Sequence, residues 1–313
     1  MSQPISISRR FATTMAVLVF LTWGLIMLGA TVRAVGAGLS CPDWPLCNGQ
    51  LIPRFGGGVF YEWFHRLVAL TVSTFFLLMV GQIAYRPELR TRLWKPAIAA
   101  IVLLASQVVL GGLTVLKLLN SDIVTLHLAT GTLFFGVLLY MTLQSLTPPD
   151  FSVHRQPRGL RPLAIVSLAV LYGQMLLGGT VASNYAALAC PDWPACSPGV
   201  WWPPFVGGVG LQMAHRLGAY TLFLMLFSLV MIGRKSPDRL IRWGVYLSGG
   251  LVTLQILLGI ANVLLRVPVP VTALHNGVAE LLFASMLALN YGLSRRQHVQ
   301  RDLSEARLAE VAA

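Results

Sequence analysis

Four histidines, each near one end of a separate long apolar segment, carry the clearest chemical signal of this sequence. They are His65, His127, His215 and His275, and they form two pairs spaced by 62 and 60 residues. An imidazole inside a bilayer is energetically costly and usually functional. Interhelical hydrogen bonding would explain one such residue, but two matched pairs predict two bis-histidine haem sites in a helical bundle. Zinc is disfavoured because no suitable third ligand recurs in both halves.

The composition places these histidines in a lipid bilayer. Over 313 residues the chain is 56% hydrophobic and 11% charged, with a mean hydropathy of +0.70, whereas a soluble domain carries about twice that charge. Eight apolar stretches approach the ~20 residues that cross a bilayer. They lie at about 12–33, 63–85, 95–117, 124–146, 163–183, 211–232, 241–263 and 272–293.

The formal net charge of +12 reflects membrane topology rather than affinity for nucleic acid. The N-terminus, three alternate loops and the C-terminal tail together contain 17 of the 23 Lys and Arg residues. The positive-inside rule places these segments, and therefore both termini, in the cytoplasm. The two loops that carry the cysteines would then lie outside, and no nucleic-acid partner is expected.

An internal repeat organises the chain. Its two copies align at offsets of 148 to 150 residues, and each copy contains four apolar segments. The matching stretches are LGATVRAVGAGLSCPDWPLC (28–47) with LGGTVASNYAALACPDWPAC (177–196), EWFHRL (62–67) with QMAHRL (212–217), QVVLGGLTVL (107–116) with QILLGIANVL (255–264), and TLHLATG (125–131) with ALHNGVA (273–279). The repeat predicts that the first segment is retained as a membrane span rather than cleaved as a signal peptide.

The repeat predicts an all-α integral membrane protein made of two tandem four-helix bundles. The N-terminal half would occupy 1–146 and the C-terminal half 163–294, with a cytoplasmic linker at 147–162 and a cytoplasmic tail at 295–313. An even number of helices gives both halves the same orientation, so a pseudo-two-fold axis along the membrane normal would relate them. All four histidines then lie at similar depth, in the outer third of the membrane.

Arginines near the outer ends of the helices are candidate partners of haem propionates. Arg66 and Arg216 each follow one of the histidines directly, and a guanidinium binds a carboxylate strongly. Arg33 and Arg266 lie at outer helix ends, where they can snorkel towards water or meet a propionate.

Glutamines recur as a QxxxG motif on helices three, five and seven, at Gln107, Gln174 and Gln255. They predict interhelical hydrogen bonds beside close helix contacts, which is a structural role. The two remaining histidines, His154 and His298, lie in predicted cytoplasmic segments and are assigned no role.

Glu62 distinguishes the two halves. It precedes His65 by three residues, so both project from the same face of a helix opening. The matching residue of the second half is Gln212, which leaves one site with an ionisable group that can transfer protons. A glutamate at a helix start often only interacts with the helix dipole, but the asymmetry of the repeat favours a catalytic role. Glu280, five residues beyond His275, is left unassigned.

Two cysteine pairs occur in matching motifs, CPDWPLC with Cys41 and Cys47, and CPDWPAC with Cys190 and Cys196. Both loops are predicted to lie in an oxidising compartment, which favours a disulfide within each loop. A structural staple and a redox role both remain open, since exposed disulfides in short loops can be labile.

The combined motifs resemble the haem A synthase family over about residues 11–293. They are EWFHR, TLHLATG, AHR and LHNG in helices two, four, six and eight, together with the first cysteine pair. The resemblance implies oxidation of the C8 methyl of haem O to the formyl group of haem A. It implies a haem b at His215 and His275, and haem O as substrate at His65 and His127, with Glu62 in catalysis. Many members lack the second cysteine pair, so a role of the first pair need not transfer unchanged.

The resemblance also implies a cellular setting. The protein would be a multi-pass protein of the cell inner (plasma) membrane, linked in function to haem O synthase and to assembly of haem-copper oxidases. The reaction would require an electron carrier that the sequence does not identify. The protein could also form a homo-oligomer. Two other classes remain alternatives: a diheme cytochrome b that passes electrons from quinol, and a membrane thiol oxidoreductase that uses the outer cysteines.

Overall fold

The computed structural model describes residues 9–146 and 156–312, with side chains up to residue 295. Eight long helices form this part of the chain, and all eight are long and apolar enough to cross a membrane. They are α1 (Arg9–Ala34), α2 (Val59–Tyr85), α3 (Pro87–Leu116), α4 (Ser121–Leu146), α5 (Leu160–Ser183), α6 (Gly207–Gly233), α7 (Arg239–Leu264) and α8 (Val269–Ala312). The predicted all-helical membrane class is confirmed, whereas the side that faces the cytoplasm stays a prediction.

Every helix begins two to eight residues before its predicted span, and the differences at the start of α3 and the end of α8 are the largest. Helix α3 begins at Pro87 rather than near residue 95, because proline is well suited to the first turn of a helix despite the charged residues that follow. Helix α5 begins at Leu160, three residues before the predicted span. Helix α8 continues through the predicted tail to Ala312, since 293–312 contain good helix formers and neither Gly nor Pro. Most of the predicted linker, 147–155 with His154, lies outside the described residues.

Each half of the chain forms a ring of four helices. In the first half α1 contacts α2 and α4, and α3 contacts the same two helices. Helices α5 to α8 repeat these contacts. Apolar side chains such as Phe76 and Leu138 fill the first ring, and Leu226 and Met286 belong to the core of the second. The histidine-bearing helices, α2 with α4 and α6 with α8, therefore lie diagonally across their rings.

The two halves meet through α1 with α8, α4 with α5, and α4 with α8. The indole N–H of Trp23 donates to the main-chain oxygen of Gly277 at 2.9 Å. The hydroxyl of Thr132 on α4 donates to Oε1 of Glu280 on α8 at 2.6 Å. Glu280 is 1% exposed, so this carboxyl group, unassigned from the sequence, contributes a buried polar contact between the halves.

Replacing Gly136 of α4 with Ala should weaken the packing between the halves. A Cβ atom at Gly136 would lie 3.0 Å from the ring of Phe283 on α8, so the ring must shift, and overpacking costs about 1–3 kcal/mol. We expect a lower melting temperature for the detergent-solubilised protein. Gly24→Ala is the matched control, because nothing lies within 4 Å of a Cβ at that position. Equal melting temperatures for the two variants would contradict this packing.

Candidate functional site

Each of the four histidine rings lies against a glycine of the preceding helix. In the first half, a Cβ atom at Gly29 of α1 would lie 3.1 Å from Cε1 of His65. A Cβ atom at Gly111 of α3 would lie 3.3 Å from Cε1 of His127. Both distances are tighter than ordinary contacts, so glycine gives each imidazole the room to lie between two helices.

The second half repeats this arrangement. A Cβ atom at Gly178 of α5 would lie 2.9 Å from Cε1 of His215, and one at Gly259 of α7 would lie 3.2 Å from Cε1 of His275. In each half the two histidines lie on helices at opposite sides of one four-helix ring, α2 with α4 and α6 with α8. Each pair that the spacing of the sequence predicted therefore belongs to one ring.

The histidine pairs have the donor chemistry that a haem iron requires. Each pair supplies two imidazoles from helices on opposite sides of a four-helix ring, as in other bundles that hold a metal cofactor in their core. Nδ1 of His65, His127 and His275 is buried without a hydrogen-bond partner, which is uncommon for a buried polar atom. These features fit a bound haem in each half, and ligation of iron stays a prediction.

Hydrogen bonds from the QxxxG glutamines confirm the predicted interhelical role. Gln107, Gln174 and Gln255 each contact the histidine of the next helix, either at its main-chain oxygen or at its ring. The glutamines therefore lie directly beside the histidines of the candidate sites, and their hydrogen bonds join neighbouring helices there.

Two similar loops connect the helices beside the histidine-bearing ends. We call residues 35–58 the first cysteine loop and residues 184–206 the second cysteine loop. A disulfide joins Cys41 to Cys47 in the first loop and Cys190 to Cys196 in the second. The structure therefore confirms the predicted pairing within each loop.

Arg66 and Arg216 bind the main chain of these loops. Arg66 donates to the carbonyl oxygens of Cys41, Asp43 and Leu46, and Arg216 donates to those of Cys190, Asp192 and Ala195. The distances are 2.6–3.2 Å, and the three acceptors occupy matching positions in the repeat. These contacts with the loop main chain were not expected from the sequence, and an additional contact of either arginine with a propionate stays a prediction.

Glu62 joins the first cysteine loop to α2. It is 4% exposed, and its Oε1 accepts a hydrogen bond from Arg66 at 2.6 Å in an ion pair. Its Oε2 accepts the main-chain N–H of Cys41 at 2.9 Å. Gln212, the matching residue of the second half, is also buried. The ionisable side chain thus connects the disulfide loop to the helix turn that carries His65.

Asp43 organises the tip of the first cysteine loop. Its carboxylate accepts the N–H of Gly49 at 2.8 Å and the N–H of Asn48 at 2.6 Å. These backbone hydrogen bonds, with that of Gly49 the largest contribution, hold the pKa of Asp43 below its ordinary value. The neighbouring Trp44 packs on Gly112 of α3, where a Cβ atom would lie 3.1 Å from its ring.

The arginines at the outer helix ends contact the second cysteine loop. The guanidinium of Arg33 lies 5.1 Å from the ring centroid of Tyr185 in a cation–π contact. Arg266 donates to the main-chain oxygen of Pro191 at 3.3 Å. Both contacts hold the loop against the helices, whereas a contact of either arginine with a propionate stays a prediction.

The glycines that face the four histidines were not assigned from the sequence. A signal was present, because Gly29 and Gly178 align in the repeat, as do Gly111 and Gly259 in QxxxG. The sequence could not show which ring each glycine faces, because that depends on the rotation of two packed helices.

Comparison with known proteins places the chain among proteins of oxidase assembly. The sequence profile of COX15-CtaA, described as cytochrome oxidase assembly protein, matches residues 12–56 and 54–287. The match includes both cysteine loops and all four histidines.

Individual relatives are similar over most of their length. The chain is 31% identical to a Heme A synthase of Shewanella oneidensis over 310 residues, which cover 86% of this chain and 92% of the relative. It is 27% identical to a Heme A synthase of Bacillus mycoides, with 90% and 93% covered. It is 28% identical to a Heme A synthase of Halalkalibacterium halodurans, with 88% and 94% covered.

Acidification should loosen the first cysteine loop through Asp43. The carboxylate of Asp43 stabilises the loop through its hydrogen bonds, and its pKa is lowered in the folded protein. The stabilisation is therefore fully present above the ordinary carboxyl pKa and is lost as the pH falls through the lower folded-state pKa. Asp43→Asn should produce the same loosening at neutral pH, seen as faster amide hydrogen exchange in a peptide covering residues 43–50. Asp192→Asn in the second cysteine loop is the matched control, for which we expect little change. Unaltered exchange in the Asp43 variant would refute this role.

Proposed function

The chain belongs to the COX15-CtaA family of cytochrome oxidase assembly proteins, and we propose that it is a haem A synthase. The enzyme would oxidise the C8 methyl group of haem O to the formyl group of haem A. The observation that carries the proposal is the pair of matched histidine sites, of which one has the buried carboxylate Glu62 where the other has Gln212.

The two sites would hold different haems. His215 and His275 would hold haem b as a resident electron-transfer cofactor, and His65 and His127 would hold haem O as substrate. Bound iron supplies the redox chemistry, while the chain binds the macrocycle, orients its edge and excludes water. Arg66 and Arg216 keep the cysteine loops over the histidine-bearing helix ends. The two arginines also lie in the region where the haem propionates are expected.

Glu62 would handle protons during oxidation of the methyl group. Two successive hydroxylations, each a two-electron oxidation that requires an external oxidant, would give a geminal diol, which would lose water to form the aldehyde. A carboxylate can accept a proton and a glutamine cannot, so the first half alone has this capacity. Protonation of Glu62 at Oε2 would compete with its hydrogen bond from Cys41, which links proton uptake to the position of the first cysteine loop.

The helix contacts support the finer architecture of the proposal. Helices α1 to α4 and α5 to α8 make equivalent contacts within each half, as expected for tandem bundles related by a pseudo-two-fold axis along the membrane normal. The protein would lie in the plasma membrane with both termini in the cytoplasm and the cysteine loops outside. It would act together with haem O synthase, an electron carrier and the assembly of haem-copper oxidases.

The alternative functions explain less of the site. A diheme cytochrome b has no need for a buried carboxylate in one half only. A membrane thiol oxidoreductase has no need for four histidines that lie on four glycines. The synthase accounts for both features, because a substrate site and a cofactor site can share ligands but differ in proton chemistry.

Glu62→Gln should stop the conversion while leaving the haem sites intact. Gln212 occupies this position in the second half, where Arg216 still binds its three loop carbonyls, so the first loop should tolerate the amide. We expect haem O or its hydroxymethyl form to accumulate, with haem A reduced by about 100-fold or more, as for loss of a general acid–base group. Chromatography of extracted pigments measures this ratio.

Gln212→Glu is the matched control, and it should neither impair the conversion nor create a second active site. Spectra of the reduced protein should show the same haem content in wild type and both variants. A normal yield of haem A from the Glu62→Gln protein would show that Glu62 serves only to hold the loop.

A further inference from the structure

One histidine of each half lies on a helix that also packs against the other half. These histidines are His127 on α4 and His275 on α8, and the halves meet where α4 contacts α5 and α8 contacts α1. The other two, His65 and His215, lie on α2 and α6, whose main helix contacts are within their own half. In each pair, therefore, one histidine is surrounded by its own half and the other lies on a helix that both halves contact.

Helix α5 of the second half contacts α4 just before and just after His127. The hydroxyl of Tyr172 on α5 donates to the main-chain oxygen of Ala129 at 3.1 Å. Two residues before the histidine, the hydroxyl of Thr125 lies 3.1 Å from the hydroxyl of Ser183 on α5. The turn of α4 that carries His127 is therefore hydrogen-bonded to the other half.

Helix α1 of the first half makes the equivalent contact with α8. The indole N–H of Trp23 donates to the main-chain oxygen of Gly277 at 2.9 Å, two residues after His275. Trp23 is the repeat equivalent of Tyr172. Gly277 is the repeat equivalent of Ala129. The halves therefore exchange matching hydrogen bonds, each from an aromatic side chain of one half to a histidine-bearing helix of the other.

Close packing accompanies both hydrogen bonds. A Cβ atom at Gly277 of α8 would lie 2.7 Å from Sδ of Met27 on α1. A Cβ atom at Gly179 of α5 would lie 2.7 Å from Cδ2 of Leu128, the residue after His127. In each case glycine permits a helix of one half to approach the histidine-bearing helix of the other more closely than an alanine would.

These hydrogen bonds lie on the far side of the histidine-bearing turns. Two residues along an α-helix correspond to about 200° of rotation, so Ala129 and Gly277 lie nearly opposite the histidines that precede them. A main-chain oxygen has two lone pairs and can accept a side-chain donor together with the N–H of its own helix. The added donor therefore fixes the turn without breaking the helix, and the position of the turn determines where the imidazole lies.

We propose that Tyr172 and Trp23 are positioning residues that act across the two halves. Tyr172, in the half that would hold haem b, fixes the turn with His127 of the substrate site. Trp23, in the half that would hold haem O, fixes the turn with His275 of the haem b site. The assignment of substrate and cofactor rests on the proposed function, whereas the crossed positioning requires only a haem in each half.

The rate at which each haem leaves the protein tests this proposal. The full-length protein is purified with its haems and mixed with excess apomyoglobin, which captures haem that dissociates. Chromatography of the pigment that remains on the protein shows which haem has left. Loss of a typical hydrogen bond of about 1 kcal/mol corresponds to about fivefold faster release.

Tyr172→Phe removes only a hydroxyl, and it should speed the release of haem O or haem A about fivefold while haem b is unaffected. Trp23→Phe should speed the release of haem b and leave the other haem unaffected. Each substitution thus acts on the half that does not contain it. The low-spin signal of the affected haem alone should shift in electron paramagnetic resonance spectra of the ferric protein, because that signal depends on the orientation of the imidazole planes.

Tyr140→Phe and Trp94→Phe are the matched controls. The hydroxyl of Tyr140 accepts a hydrogen bond from Gln144 of its own helix. Trp94 lies on α3, which packs against α2 and α4 of its own half. Both controls should release their haems at the wild-type rates.

Three results would overturn the proposal: faster release only from the half that carries the substitution, equal acceleration of both haems, or wild-type rates in both variants. If pigment extraction finds haem b alone, the proposed function fails. Release from each half is then measured in proteins with one site emptied, by alanine at His65 and His127 or at His215 and His275, so the crossed pattern is decided separately. A protein that binds no haem would overturn both the function and the positioning.

Discussion

The close approach of four imidazoles to four glycines is the constraint on which the rest of this structure depends. Each ring lies where a Cβ atom on the preceding helix would stand 2.9–3.3 Å from Cε1. Helices in a membrane gain little from apolar contact with each other, so small residues that permit close packing determine how they pair. The glycines therefore position the helices and the histidines together. A larger residue at Gly29 or Gly178 would move a candidate ligand and the helix that carries it.

The two cysteine loops, like the helices, have equivalent contacts in both halves of the chain. In each loop a disulfide and an arginine fix three carbonyl oxygens at matching positions. On this shared frame, Glu62 and Leu25 distinguish the first half from Gln212 and Gln174 in the second. One difference adds a carboxylate between the loop and the helix, and the other removes an amide beside a histidine. Both differences fall in the first half, the half that we propose binds the substrate.

The sequence was sufficient for the number of helices and for the pairing of the cysteines. Eight apolar stretches predict eight helices, and two copies of CPDWPxC predict two disulfides within loops. The binding of Arg66 to loop carbonyls could not be predicted, because every residue has a main-chain carbonyl and the residue types do not show which ones accept a hydrogen bond. The packing of His65 on Gly29 depends on helix rotation and distance, which a linear pattern does not contain. The contact of Thr132 with Glu280 joins residues from the two halves and required the three-dimensional arrangement.

The central claim is that the two halves bind chemically different haems at equivalent histidine pairs. Extraction of the pigments from the purified wild-type protein, followed by chromatography and mass spectrometry, tests it most directly. We predict haem b together with haem O, haem A or the hydroxymethyl form between them. Haem b alone would contradict the claim and indicate an electron-transfer cytochrome, and absence of haem would indicate that the histidine pairs do not bind iron.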